Sequence, residues 1–232
     1  RYGDAALVRA LRLDAAGLGP PVLGLERGFL VMAWLDDALP LDAALADGFD
    51  RRTLVAGVSE YVAAVARGLP RAPRACGAAP EALLDMACHN AGAVLGTGAA
   101  VALERWRPAL ARLASGLRPV ATDDRMHAWE WLVLPDGRLI KTDGVDHHAG
   151  HDLIGCQDVA WDVAGAAVEL DLDPDERARV ARAARRRDEA VLRFHEDCYL
   201  AFQLGRCWLA ARGAAPDEAA RLEAAQRRYA AR

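Results

Sequence analysis

The stretch Asp123-Asp124-Arg125-Met126-His127-Ala128-Trp129-Glu130-Trp131-Leu132-Val133-Leu134, with Pro135-Asp136-Gly137-Arg138 and Leu139-Ile140-Lys141-Thr142-Asp143 after it, decides how this chain is read. Trp131 to Leu134 and Arg138 to Thr142 have strand character, and Pro135-Asp136-Gly137 between them supplies turn chemistry, so the segment predicts a hairpin. Glu130 stands before the hairpin and Asp143 ends it. Two acidic groups on either side of a tight hairpin can converge on one divalent cation, and a hard cation such as Mg2+ takes carboxylate oxygens. The bland alternatives are an Asp that merely ends a turn and a Glu on the exposed face of a strand.

Working outward, Asp158 to Leu170 predicts a helix in which Asp158 is the N-cap and Asp162 a first-turn acid. Upstream, Ala5, Leu7, Val8, Leu11 and Leu13 mark a short amphipathic helix that Gly17-Leu18-Gly19-Pro20-Pro21 ends. Val22 to Leu25 and Phe29 to Leu35 read as two strands joined through Glu26-Arg27-Gly28. Asp50 to Leu69, Pro80 to Leu95 and Ala99 to Leu117 carry Ala, Leu and Val at helical period. Pro174 onward is helical, with a break near Gly213. The expected fold class is α+β, mostly helical: a small sheet remnant in front of a helical body.

The chain has 232 residues, 53% of them hydrophobic, enough for one large domain or two small ones. Its 29 basic and 33 acidic residues leave a formal charge of −4, which excludes the basic footprint of a nucleic-acid binder. The one basic run, Arg177 to Arg187, has helical spacing and reads as a solvated face. Five cysteines without a Cys-x-x-Cys pair indicate neither a disulfide framework nor a thiolate zinc site, and suggest a reducing cytoplasm. No apolar run approaches the roughly 20 residues that span a bilayer, so no membrane partner is expected.

The ordered pieces resemble the aminoglycoside phosphotransferase and choline kinase superfamily, whose fold is protein-kinase-like. That superfamily carries a His-Gly-Asp-Leu-His-x-x-Asn loop, two strands and an Ile-Asp-Trp/Phe segment; Asp123 to Glu130 and Lys141 to Asp143 occupy the corresponding places. Asp158 to Ala164 is similar to the stretch that follows. Pro20 to Leu25 and Gly28 to Leu35 are similar to the strand pair and hinge. The resemblance implies ATP and Mg2+ as cofactors, with Asp143 and Glu130 as metal ligands and the hinge backbone of Met32, Ala33, Trp34 and Leu35 against adenine. It implies transfer of the γ-phosphoryl group to a hydroxyl of a small-molecule acceptor, by positioning and charge neutralisation. It also implies a remnant of the small lobe over residues 1–35 and a large lobe over 36–232, with the catalytic loop and metal hairpin within 120–162.

The departure lies at the catalytic Asp. With Glu130 in register, Arg125 falls where the family's base belongs, and Asp124 and Asp123 precede it. Asp124 is the candidate base if the loop bulges by one residue; Arg125 is the candidate for stabilising phosphate charge, since its planar fork suits phosphate oxygens. Most of the nucleotide-binding lobe is missing from the pattern, and Lys141 is the only lysine in the chain. A pseudokinase-type nucleotide-binding module is therefore the alternative, with weak or no ATP turnover. A third reading starts from Asp146-His147-His148-Ala149-Gly150-His151-Asp152, whose His-Asp pair suggests a metal phosphohydrolase. Its ligands would sit in one short loop, which favours a structural or substrate-facing role. His89 and His195 read as ordinary packed or surface histidines, and Phe194, Tyr199, Leu200, Phe202, Leu204 and Trp208 as core.

Overall fold

The structure, a computed structural model, describes residues 2–67, 77–150 and 153–232. In chain order it contains α1 (Tyr2–Ala15), β1 (Val22–Glu26), β2 (Phe29–Met32), β3 (Leu39–Pro40), α2 (Leu41–Ala46), α3 (Arg51–Ala66), α4 (Pro80–Leu95), α5 (Thr97–Leu103) and α6 (Leu110–Gly116). It continues with β4 (Pro119–Val120), β5 (Trp131–Val133), β6 (Leu139–Lys141), β7 (Gln157–Asp158), α7 (Ala160–Glu169), α8 (Pro174–Ala183), α9 (Glu189–Ala211) and α10 (Pro216–Ala230). The chain forms two compact units, residues 1–77 with 118–187 and residues 78–117 with 188–232. The expected lobe boundary at residue 35 falls inside the first of them.

In the first unit, α1 ends where Gly17 takes φ 68° and the Leu18 N–H reaches back to the Leu13 carbonyl at 2.9 Å. That is the left-handed terminus for which glycine has no steric cost. β1 and β2 form an antiparallel ribbon closed by Arg27 and Gly28, both at positive φ, as a two-residue hairpin loop demands. β2 stops at Met32, where Ala33 makes the last bond of the ribbon, N–H to the Pro21 carbonyl at 2.8 Å; the expected strand to Leu35 is shorter by three residues.

Asp50 caps α3 by accepting from the Thr53 N–H at 2.8 Å. The buried face of α3 carries Leu54, Val58, Tyr61, Val62 and Val65. α7 is buried on every side, and seven of its ten residues are Ala, Val or Gly. β5 and β6 pair antiparallel with Trp131 opposite Lys141 and Val133 opposite Leu139, and β3 adds an edge to β5. β4 pairs with β7, which contains Asp158, so the following helix begins at Ala160.

In the second unit, α4 and α10 lie along α9, and Gly205 of α9 packs where a Cβ would stand 2.3 Å from the Asn90 amide of α4. Trp106 meets Phe194 edge-on at 5.7 Å and donates its indole N–H to Asp197 at 2.6 Å. The helix expected over residues 99–117 is broken: Pro108 lies in a 3-10 stretch from Glu104 to Ala109, because its ring removes the N–H that an α-helix would use. The C-terminal helical region breaks near Arg185 (φ 58°) as well as near Gly213, and Asp188 caps the restart at α9.

Cys156 is disulfide-bonded, which corrects the expectation of a chain without disulfides; Cys88 and Cys198 are thiols. The basic run is also less solvated than expected, since Arg186 binds Asp158 with its Nε 2.8 Å from Oδ1. Among the described residues no helix is long and apolar enough to cross a membrane.

Candidate ligand site

The loop from Ala121 to Glu130 has almost no regular structure and is held instead by side chains. The N–H groups of Asp123 and Asp124 each donate to one oxygen of Asp162, both at 2.9 Å. Asp162 sits in the first turn of α7, so the buried helix fixes the loop. From α1, the buried Arg9 donates its Nε to the Gly144 carbonyl at 2.6 Å and its Nη1 to the Ala121 carbonyl. One side chain thereby ties the loop before the hairpin to the turn after it.

Asp123 is the hub. Its Oδ2 accepts from the Tyr61 hydroxyl at 2.5 Å, and Lys141 Nζ lies 3.2 Å from that oxygen. Its Oδ1 lies 3.1 Å from His147 Nδ1. Complete burial opposes ionisation, yet the Lys141 charge and the His147 hydrogen bond hold its pKa down at about 2. Lys141 Nζ also lies 2.7 Å from Glu130 Oε2 and 2.5 Å from the Asp143 carbonyl. The Trp131 ring closes the other side at 5.9 Å, with Tyr61 edge-on to it at 5.1 Å.

His147 bridges in the same manner. Its Nε2 is 3.2 Å from Asp143 Oδ2, and its two carboxylate partners outweigh burial to raise its pKa to about 10, so it is an imidazolium at neutral pH. The hydrogen bond from His147 lowers the Asp143 pKa in turn. Gly144 is needed for this closure, because a Cβ there would stand 2.2 Å from the Tyr61 oxygen and 3.0 Å from Asp123 Oδ2.

Asp123, Glu130 and His147 present ligand atoms within 4.8 Å of one another, a spacing that suits a cation. The space is spoken for by protein charge. Lys141 has three N–H donors, and Asp123, Glu130 and the Asp143 carbonyl are three acceptors around it. Mg2+ requires oxygens near 2.1 Å on an octahedron, and it cannot share these oxygens with an ammonium at the distances found. As they stand, these residues do not fit Mg2+.

The residues expected to act are distributed as follows. Glu130 and Asp143 are joined through Lys141 and His147, not face to face; the Asp143 carboxylate is half-exposed and outside the three-ligand group. Asp124 takes φ 69° and is buried. Burial, and next the charge of Asp162, push its pKa well above the usual range, and its oxygens are closed off from solvent. Arg125 points outward and is exposed. Met32, Ala33, Trp34 and Leu35 lie along one wall of a cavity of about 490 Å3, with Leu132 and Thr142 opposite. Thr142 links cavity and cluster, since its N–H and hydroxyl both donate to the Glu130 carbonyl, at 2.9 and 3.0 Å.

In the His-rich loop, His148 has a pKa lowered to about 4, by burial first, and His151 and Asp152 lie outside the described residues. His127 is buried, stacked on Trp129 at 4.2 Å with its Nδ1 3.1 Å from Glu169 Oε2, and so serves packing. Sequence reasoning did not single out Arg9 or Tyr61. Arg9 carries no local signal; Tyr61 could have been found as a polar tip on the otherwise apolar face of α3.

This architecture, a short sheet ribbon and extended segment over a cavity, then a loop and hairpin braced by a buried helix, is a protein-kinase-like fold of the choline kinase type. Two solved structures carry it over the whole of this chain. A choline/ethanolamine kinase family protein from Mesorhizobium loti superposes with TM-score 0.63 at 16% identity, covering 100% of this chain and 80% of its own. Choline kinase LicA from Streptococcus pneumoniae gives TM-score 0.56 at 13% identity, covering 100% of this chain and 84% of its own. LicA in complex with AMP gives TM-score 0.51 at 14% identity, covering 94% and 75%. No family model matches the chain, and no curated protein matches it by sequence.

Proposed function

We propose that the chain is a pseudokinase-type binding module that takes an adenine nucleotide in the cavity beneath residues 32–35 and does not transfer its phosphoryl group. The observation that carries this reading is the position of the acids. No carboxylate among Asp123, Asp124 and Glu130 lines the cavity, and each is buried. A general base must reach the hydroxyl whose proton it takes. Arg125, at the place where the resemblance puts that base, cannot accept a proton at neutral pH.

Support for nucleotide binding comes from the cavity itself. Its walls are largely apolar, with extended backbone on one side and the Thr142 hydroxyl on the other, which suits a flat heteroaromatic base edged by polar atoms. The fold agrees, since one structural neighbour was crystallised with AMP. The competing reading is ATP-dependent phosphorylation of a small-molecule hydroxyl with Mg2+ on Glu130 and Asp143. It has in its favour the order of the sequence pieces and the names of the neighbours.

The two separate cleanly in one experiment. ATP, ADP and AMP are titrated calorimetrically into the protein with Mg2+ and with EDTA, and ADP release is followed by a coupled assay with choline and an aminoglycoside as acceptors. The proposal expects one-to-one binding in either buffer, weakened at least tenfold by Leu132→Trp, and no ADP above the buffer rate. Mg2+-dependent ADP formation that Asp143→Ala abolishes would establish the competing reading.

A further inference from the structure

Asp123 and Glu130 with Lys141 and His147 form a charge-balanced knot that neither the cavity nor the proposed binding requires. Removing four ionic groups from water is costly unless each is matched. Here the matching is complete: every ammonium N–H has an oxygen, at 2.7 Å on Glu130, 3.2 Å on Asp123 and 2.5 Å on the Asp143 carbonyl. The Lys141 side chain has no solvent exposure, and its backbone N–H is fixed to the Leu18 carbonyl at 2.9 Å. The Gly144 backbone approaches so closely that an added Cβ would stand 3.3 Å from Lys141 Cγ and 2.2 Å from the Tyr61 oxygen. The ammonium therefore has no room to swing aside for an incoming ion.

We infer that Lys141 is a resident cation: its ammonium takes the place of a divalent metal among Asp123, Glu130 and the Asp143 carbonyl, and its removal uncovers a latent divalent-cation site on those same oxygens. A tethered monovalent cation satisfies the same oxygens without dissociating, so the cluster is neutralised at any metal concentration. The donor set left behind, the Glu130 and Asp123 carboxylates and the Asp143 carbonyl that stand 2.7, 3.2 and 2.5 Å from the ammonium, is of the oxygen kind that Mn2+ accepts. The inference rests on the proposed binding reading only for its consequence that a nucleotide would bind without metal.

The test needs no nucleotide. Mn2+ alone is titrated into wild type, Glu130→Gln, Lys141→Met and Lys141→Met/Glu130→Gln, with free Mn2+ read by electron paramagnetic resonance. Wild type is expected to bind no stoichiometric Mn2+ below about 1 mM. Lys141→Met is expected to gain one site at least tenfold tighter, and the double variant to lose it. Two results overturn the inference: a wild-type site that Glu130→Gln removes, or a folded Lys141→Met protein with no gain. Lys141→Gln replaces Lys141→Met if the latter does not fold, and should neither fold, the wild-type and Glu130→Gln titrations decide alone. Failure of AMP or ATP to bind the cavity sinks the proposed function and leaves this result untouched.

Discussion

Replacing Lys141 by Met is the perturbation whose size follows most directly from the structure. The ammonium is fully buried and touches two carboxylates, of which Asp123 is fully buried and Glu130 nearly so. Breaking a buried ion pair by deleting one partner costs about 3 to 5 kcal/mol, because the surviving charge is stranded. For a chain of this length each kcal/mol moves the melting temperature by roughly 2 to 4 °C, so a fall on the order of 10 °C at pH 7 is expected. The pH dependence gives an independent check. In wild type the pKa of Asp123 lies at about 2, against an ordinary 3.8. A depressed carboxylate contributes stability that is present above the unfolded value and lost as pH falls through the folded one. That shift corresponds to about 2 kcal/mol, lost between roughly pH 4 and pH 2. Without Lys141 the sign reverses: the stranded acids hold their protons more firmly folded than unfolded, so the deficit is largest at neutral pH and shrinks on acidification. Urea melts of both proteins by circular dichroism at pH 7 and pH 4.5 measure the deficit and its shrinkage, and wild-type melts continued to about pH 2 measure the Asp123 contribution. A deficit below about 1 kcal/mol at pH 7, or one that does not shrink at pH 4.5, would refute the reasoning.

Gly144→Ala forces a methyl group to within 2.2 Å of the Tyr61 oxygen; we expect a loss of about 1 to 3 kcal/mol by chemical denaturation, partly relieved by Tyr61→Phe. Asp162→Asn keeps one acceptor for the two N–H groups of Asp123 and Asp124 and turns an NH2 toward the other. It should cost about 1 to 3 kcal/mol and speed hydrogen exchange at both amides, measured by mass spectrometry. Asp143→Ala removes a half-exposed carboxylate that touches only the His147 ring among the described residues, so its stability should change by less than about 1 kcal/mol while the His147 pKa falls, as read by NMR.

The fold was legible where local rules act alone. Gly28 and Gly137 announce their turns, since each takes a positive φ (90° and 84°) that glycine adopts without steric cost, and Asp50 opens the helix it caps, whereas the restart capped by Asp188 was not read from the sequence. It was least legible where tertiary context decides. Pro108 splits one periodic segment into three, and β2 ends at Met32, before its apolar run does. The disulfide at Cys156 could not be inferred from the cysteine spacing, which has no Cys-x-x-Cys pair.

The site divides along a different line. Spacing sets Glu130 and Asp143 on either side of the hairpin and Met32 to Leu35 along the cavity, but spacing says nothing about which counter-charge a carboxylate chooses. The clue lay in strand register. A two-strand hairpin turning at Pro135-Asp136-Gly137 sets Lys141 opposite Trp131, and alternation then places Lys141 on the same face as Leu139, whose side chain is core. A lysine directed into a core beside acids either pairs or loses its charge. With the only lysine of the chain so placed, the acids flanking the hairpin had an internal partner before any metal could be considered. Position in a motif and availability for chemistry are therefore separate properties, and in this chain the second is governed by residue 141, not by 130 or 143.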